Sequence, residues 1–322
     1  MRQNIGAHQP DEAGARENAP QRRQRIHRVA RAEPRLIDGR TVFVIKPPGY
    51  DLPKRPDGLP DFWYHVQGRP GPSLKYGGIP AAFPTCRNFG LLPQKEPDRS
   101  DLEVLLSADP QTKSRADIGY YQRDIIEPLL GQHNAQLGLT LGDVVNDDLS
   151  LYPALNAQTT RLQVPWLHIA GNHDLDFDSQ RDEGSLSSFR NVYGPDTFAW
   201  EEERAVFIGL DDVIYRPGQR PAYIGGFPED QFASLEAYLP TLPKDPLLVL
   251  GMHIPLCEEA GGAETFNRRD RERLFALLRE FPHVLVLSGH SHTQRHWYHD
   301  ASTGWRGGQP LHEHNVGAAC GA

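Results

Sequence analysis

The chain has 322 residues, 38% of them hydrophobic, which suits one large packed domain or one domain with a smaller module attached. Its formal charge of −8 argues against a stable nucleic-acid complex, because polyanion binding needs a basic surface. No stretch approaches the roughly 20 apolar residues that span a bilayer, and Cys86, Cys257 and Cys320 form neither a metal-knuckle spacing nor an even disulfide framework.

Residues 1–33 contain no aromatic side chain and carry the basic cluster Arg22-Arg23-Gln24-Arg25. That composition cannot bury enough surface to fold, so a disordered tail is expected. It also lacks the apolar core of a secretory signal. As written the chain reads as cytoplasmic, with export the alternative if the N-terminus is incomplete.

Residues 34–98 read as a short β-rich module. Thr41-Val42-Phe43-Val44-Ile45 is an expected strand, Lys46-Pro47-Pro48-Gly49 a turn, and Phe62-Trp63-Tyr64-His65-Val66 a second strand. Pro and Gly (28 and 30 in the chain) punctuate this stretch too densely for long helices.

From residue 99 to 322 strands and helices alternate. Expected strands are Leu102–Leu106, Leu137–Leu141, Val164–Ala170, Val206–Leu210, Leu247–Met252 and Val284–Leu287, with Phe198–Trp200 pairing the fourth. Expected helices are Asp117–Leu130, kinked by Pro128 and stopped by Gly131, then Tyr152–Leu162, Glu229–Leu239 and Arg268–Glu280. An α/β sandwich is the expected result, with polar motifs at the carboxyl ends of buried strands.

Those motifs are Asp109-Pro110-Gln111, Gly142-Asp143, Gly171-Asn172-His173-Asp174, His253, and Gly289-His290-Ser291-His292. Each ends an apolar run and supplies oxygen or imidazole donors. Together they are enough for two divalent ions. A two-ion cluster points to in-line attack of a metal-held hydroxide on a phosphate ester. Gly before Asp143, Asn172 and His290 is expected to permit a sharp turn and leave room beside the ions. A single Gly-Asp pair would mean nothing; five motifs in order carry the reading.

The ordered set resembles the calcineurin-like metallophosphoesterase superfamily, in particular bacterial members with a small N-terminal β module before the catalytic domain. Residues 99–322 are then the catalytic domain, a β-sandwich flanked by helices. The aromatic patch at Phe62, the Asp-Pro-Gln motif and Glu313-His314-Asn315-Val316-Gly317 support the narrower match. The resemblance implies one ion held by Asp109, Gln111 and His292, another by Asn172, His253 and His290, and Asp143 bridging them. It implies Mn, Fe or Zn, with Mn favoured because Gln111 replaces a common His by an amide oxygen. It implies His173 as the group that hydrogen-bonds or protonates the leaving oxygen. Asn146 stands where relatives that act on phosphoproteins carry the carboxylate that polarises this histidine. Asp147 is the remaining candidate there, and the Arg that those relatives carry is absent.

The expected function is hydrolysis of a phosphate mono- or diester of a small molecule, lipid or nucleotide-like compound, with no phosphoenzyme. A non-catalytic scaffold on the same fold is the rival. His168 is expected to pack in its strand. His296, His299, His312 and His314 are cleft candidates, as are Asp211, Asp212 and Tyr215. A third ion on His312 and His314 competes with plain strand alternation. Oligomeric state leaves no trace in the sequence.

Overall fold

The computed structural model describes residues 39–82, 88–94, 101–257 and 265–319. The expected tail with its arginine cluster, Leu36 at the start of the β-rich stretch, Cys86, Cys320 and residues 258–264 lie outside the described residues.

Four short strands precede the main fold: β1 (Arg40–Phe43), β2 (Tyr50–Asp51), β3 (Trp63–Val66) and β4 (Leu92–Pro93). β1 pairs antiparallel with β3, Thr41 opposite His65, and β2 pairs with β4. Lys46 ties this stretch to the main fold. Its fully buried ammonium reaches the Glu202 carboxylate at 2.5 Å and the Glu201 carbonyl at 3.1 Å. Burial lowers its pKa against the opposing pull of Glu202, and a buried charge of this kind is tolerated only when paired.

The next elements are β5 (Val104–Ser107), α1 (Arg115–Tyr121), α2 (Glu127–Leu129), β6 (Leu137–Leu141), α3 (Tyr152–Thr159), β7 (Trp166–Ile169) and α4 (Ser187–Tyr193). The expected helix Asp117–Leu130 is divided. α1 begins two residues earlier, capped by Ser114, whose side chain accepts from the Asp117 amide. A π-helical turn over Gln122–Ile126 then separates α1 from α2. Pro128 lacks the amide that would continue the regular ladder, and the widened turn immediately before it absorbs that break. Gly131, at φ +67°, ends the element as expected.

The second half contains β8 (Phe198–Glu201), β9 (Ala205–Gly209), β10 (Val213–Tyr215), β11 (Tyr223–Gly225), α5 (Glu229–Tyr238), β12 (Leu247–Gly251), α6 (Arg268–Leu278), β13 (Val284–Ser288), β14 (Arg295–His299) and β15 (Leu311–Asn315). α4, the β10–β11 hairpin and the β14–β15 pair are additional to the expected elements.

β5, β6 and β7 form a three-stranded parallel sheet, and the larger sheet runs β14-β15-β13-β12-β9-β8. Its four inner strands are parallel; the edges β8 and β14 are antiparallel. Leu139, Leu141, Leu167 and Ile169 of the small sheet share one apolar layer with Phe207, Val249 and Leu287 of the large one. Gly251 is needed where they meet, since a Cβ there would sit 2.5 Å from the Ile169 side chain. The alternate residues Val206, Ile208, Leu248, Leu250 and Val286 pack with Phe232 and Leu235 of α5 and Leu274, Phe275 and Leu278 of α6. Burial on both faces explains the unbroken apolar run in β9 and the run in β6 broken only by the buried Thr140. Among the described residues, no helix is long and apolar enough to cross a membrane.

Candidate metal centre

Parallel strands end on the same edge of their sheet. β5, β6, β7, β12 and β13 therefore deliver Asp109, Asp143, Asn172, His253 and His290 to adjoining loops. Cross-loop amides lock these loops together: Gln111 N to Asp143 O at 2.9 Å, and Gly289 N to His253 O at 2.9 Å.

Asp143 sits at the centre. Its Oδ1 lies 3.3 Å from His253 Nε2 and accepts the His173 amide at 2.8 Å. Its Oδ2 accepts Gln111 Nε2 at 2.7 Å. His253 Nε2 is also 3.1 Å from Asn172 Oδ1 and 3.2 Å from His290 Nδ1. On the other side, Asp109 Oδ1 is 3.5 Å from His292 Nε2, and both Asp109 oxygens face the His290 amide. All seven expected ligand residues thus belong to one contact network. Among the described residues, Asp143, His253 and His290 also form a group with donor atoms within 4.8 Å of one another.

The backbone is strained where these residues stand. Asp109, Gln111, Asp143, His290 and His292 have φ of 47°, 38°, 49°, 68° and 57°, and Asp147 has 63°. Among the described residues, Gln163 is the one other non-glycine residue in this region. Each such residue costs about 1–3 kcal/mol, and clusters of them mark functional sites. Glycine's part is mainly space. Gly142 does turn at φ +82°, but Gly171 does not need the left-handed region. A Cβ on Gly171 would lie 2.2 Å from Asp143 Oδ1, and one on Gly142 would lie 2.2 Å from His253 Nδ1.

Supporting groups fix the ligands in turn. The Leu141 carbonyl, which can only accept, faces His253 Nδ1 at 2.9 Å and assigns a proton to that nitrogen. Asp212, a cleft candidate from sequence, is instead fully buried and holds the chain at His253. Its carboxylate accepts the amides of His253 at 3.0 Å and Ile254 at 2.8 Å. Asp211 is buried as well, its amide bonded to Gln231. Asp174 closes the third motif from inside, accepting from Gly171 N, Val144 N and the Tyr152 hydroxyl. No role was assigned to Asp174 from sequence; its place in the Asn172-His173-Asp174 run was the available signal.

Electrostatics follow from crowding charge into a buried space. Burial and the nearby Asp143 raise Asp109 to about 6 despite His253. Burial would raise Asp143 too, but His253 and the His173 amide hold it well below the ordinary carboxylate range. Burial opposes a charge on His253, yet Asp143, Asp109 and Asp212 push it up to about 10. Burial and the His253 charge lower His290 to about 3. One imidazolium thus compensates several carboxylates, a task that a divalent cation would perform more fully.

The His173 side chain is 30% exposed, and its Nδ1 meets Asp147 Oδ1 at 2.7 Å. The other histidines divide by strand alternation. His296 lies opposite His314, their rings stacked at 4.3 Å, and its Nδ1 is 2.9 Å from His312 Nε2. His299, expected at the cleft, is instead buried and paired with Glu313 at 2.7 Å. His168 packs in β7 against Tyr193, as expected.

The calcineurin-like phosphoesterase family model matches residues 103–294. No curated protein matches. Among solved structures, the chain is similar to a dimetal phosphatase from Danio rerio, with 17% identity and a TM-score of 0.47 over 67% of this chain and 87% of that one. It is also similar to the phosphopantetheinyl hydrolase of Mycobacterium tuberculosis, with 14% identity and a TM-score of 0.42 over 67% and 89%. The matched span runs from the strand before Asp109 through His292, and the chain belongs to the calcineurin-like phosphoesterase family, metal-dependent hydrolases of phosphoester bonds.

Proposed function

We propose that the protein hydrolyses a phosphate mono- or diester with two divalent ions, one held by Asp109, Gln111 and His292 and the other by Asn172, His253 and His290. The observation that carries this reading is the two-sided environment of Asp143. One carboxylate oxygen faces His253 and the other faces Gln111, so a single side chain serves both donor groups. The donor set suits the ions, since oxygens and imidazoles satisfy Mn²⁺, Fe or Zn²⁺, and the amide of Gln111 favours the harder Mn²⁺. When bound, such ions supply a Lewis-acid clamp on the ester oxygens and a nucleophile at neutral pH.

The chain's own residues do the rest. Asp212 and Leu141 orient His253, and Asp174 holds the loops that carry Asp143 and Asn172. His173 donates a proton to the leaving oxygen, and Asp147 keeps that proton on the ring. Gln111 presents its amide oxygen once the amide plane has turned by half a revolution from its contact with Asp143. The substrate is a small-molecule, lipid or nucleotide-like ester.

The test is a screen of mono- and diesters with Mn²⁺-loaded protein. Turnover that a chelator abolishes and Mn²⁺ restores supports the reading. A protein that holds two ions yet turns over none of the esters is a scaffold.

A further inference from the structure

We infer that the ester carries a planar aromatic group next to its reacting phosphate, received by a wall of Phe177 and Tyr223 that the buried Tyr215 braces; this rests on the phosphoesterase reading above. The wall begins at the candidate centre. The Tyr223 ring meets the His290 ring edge-on, 6.1 Å between centroids and 84° between planes. Tyr223 stands directly opposite Tyr215 in the β10–β11 hairpin, which puts the two side chains on the same face. Tyr215 in turn meets Phe177 edge-on at 5.9 Å and 79°. Its hydroxyl donates to the Phe177 carbonyl at 2.7 Å, which pins the loop after His173 to the hairpin. The row ends in water, with Phe177 44% exposed.

One exposed phenylalanine has no meaning by itself. This one lies four residues along the chain from His173 and is linked through Tyr215 and its cross-strand partner Tyr223 to a candidate metal ligand. Aromatic side chains lose little conformational freedom on binding and prefer flat partners in offset or edge-on contact. A planar ring attached to the phosphate through a short link is the ligand such a row fits.

The experiment uses two esters with matched reacting groups, 2-phenylethyl phosphate and ethyl phosphate, together with their methyl diesters, on the Mn²⁺-loaded protein. The expected ratio of kcat/KM, phenylethyl over ethyl, is about tenfold, the order that one or two aromatic contacts supply. In Phe177→Ala and Tyr223→Leu that ratio falls to near one. Tyr223→Phe, which keeps the ring, retains the ratio and separates loss of the ring from loss of the fold. A ratio near one in the unmodified protein, or one that survives both ring-removing changes, overturns the inference. Turnover of none of these esters overturns the phosphoesterase reading, and the inference with it.

Discussion

Asp147 and His173 are joined twice, by Asp147 Oδ1 to His173 Nδ1 at 2.7 Å and by the Asp147 amide to the His173 carbonyl at 3.1 Å. The carboxylate that meets His173 is therefore that of Asp147, one residue beyond Asn146. The left-handed backbone of Asp147, at φ 63°, accompanies that contact.

The pair sets a pH dependence. The hydrogen bond that Asp147 accepts from the ring, aided by the charge of Asp143, raises the His173 pKa above its ordinary value. A proton donor is active below its pKa, so the rate falls as pH rises through it. Asp147→Asn lowers that pKa and moves the alkaline limb of kcat/KM to lower pH. For esters with poor leaving groups, kcat falls by about 10- to 100-fold, as partial loss of general-acid help does. A pH–rate profile checks both; an alkaline limb that stays in place would remove Asp147 from the mechanism.

Gln111 is the weak member of its donor group. It is buried, and its amide is bonded to Asp143. Gln111→His exchanges a neutral oxygen for an imidazole nitrogen. One of the two sites should then bind Zn²⁺ or Fe²⁺ roughly tenfold more tightly. Metal titration by calorimetry reads this directly, and equal or weaker binding contradicts the assignment.

His299 and Glu313 test the fold apart from the chemistry. Burial opposes a charge on His299, but contacts with Cys257 and Glu313 overcome it and raise the pKa from 6.5 to about 9. The folded value exceeds the unfolded one. The stabilisation is therefore complete below the unfolded pKa of about 6.5 and is lost as pH rises through about 9. Glu313 also accepts the Ser288 hydroxyl at 2.7 Å and the Leu256 amide at 3.2 Å, so the pair braces β13, β14 and β15. His299→Gln should cost about 3–5 kcal/mol at pH 6, as breaking a buried pair does, and should flatten the decline toward pH 9. Urea unfolding across this range measures it; parallel curves for the two proteins would refute the coupling.

Apart from β15, whose sequence is Leu311-His312-Glu313-His314-Asn315, the parallel strands were legible because each is an apolar run closed by Gly or a polar ligand type, as in Leu137–Leu141 before Gly142-Asp143. The seven ligand candidates were legible for the same reason. What stayed hidden depends on contacts between distant segments. The left-handed φ of Asp109 or His292 has no local sequence signature, and nothing local told whether Asp147 would face His173. β14 was obscured because Arg295, His296 and Tyr298 are exposed at a sheet edge, so the strand lacks an apolar run. The π turn before Pro128 is a compromise between a helical pattern and a missing amide, which periodicity alone does not resolve.

We propose that one carboxylate, that of Asp143, serves two ions. The most direct test is metal content and ester turnover, measured together on the same preparations of the unmodified protein and Asp143→Asn. A bridging Asp143 predicts two equivalents of metal with turnover in the first, and loss of both metal and activity in the second. Asp143→Asn protein that keeps its activity would contradict it.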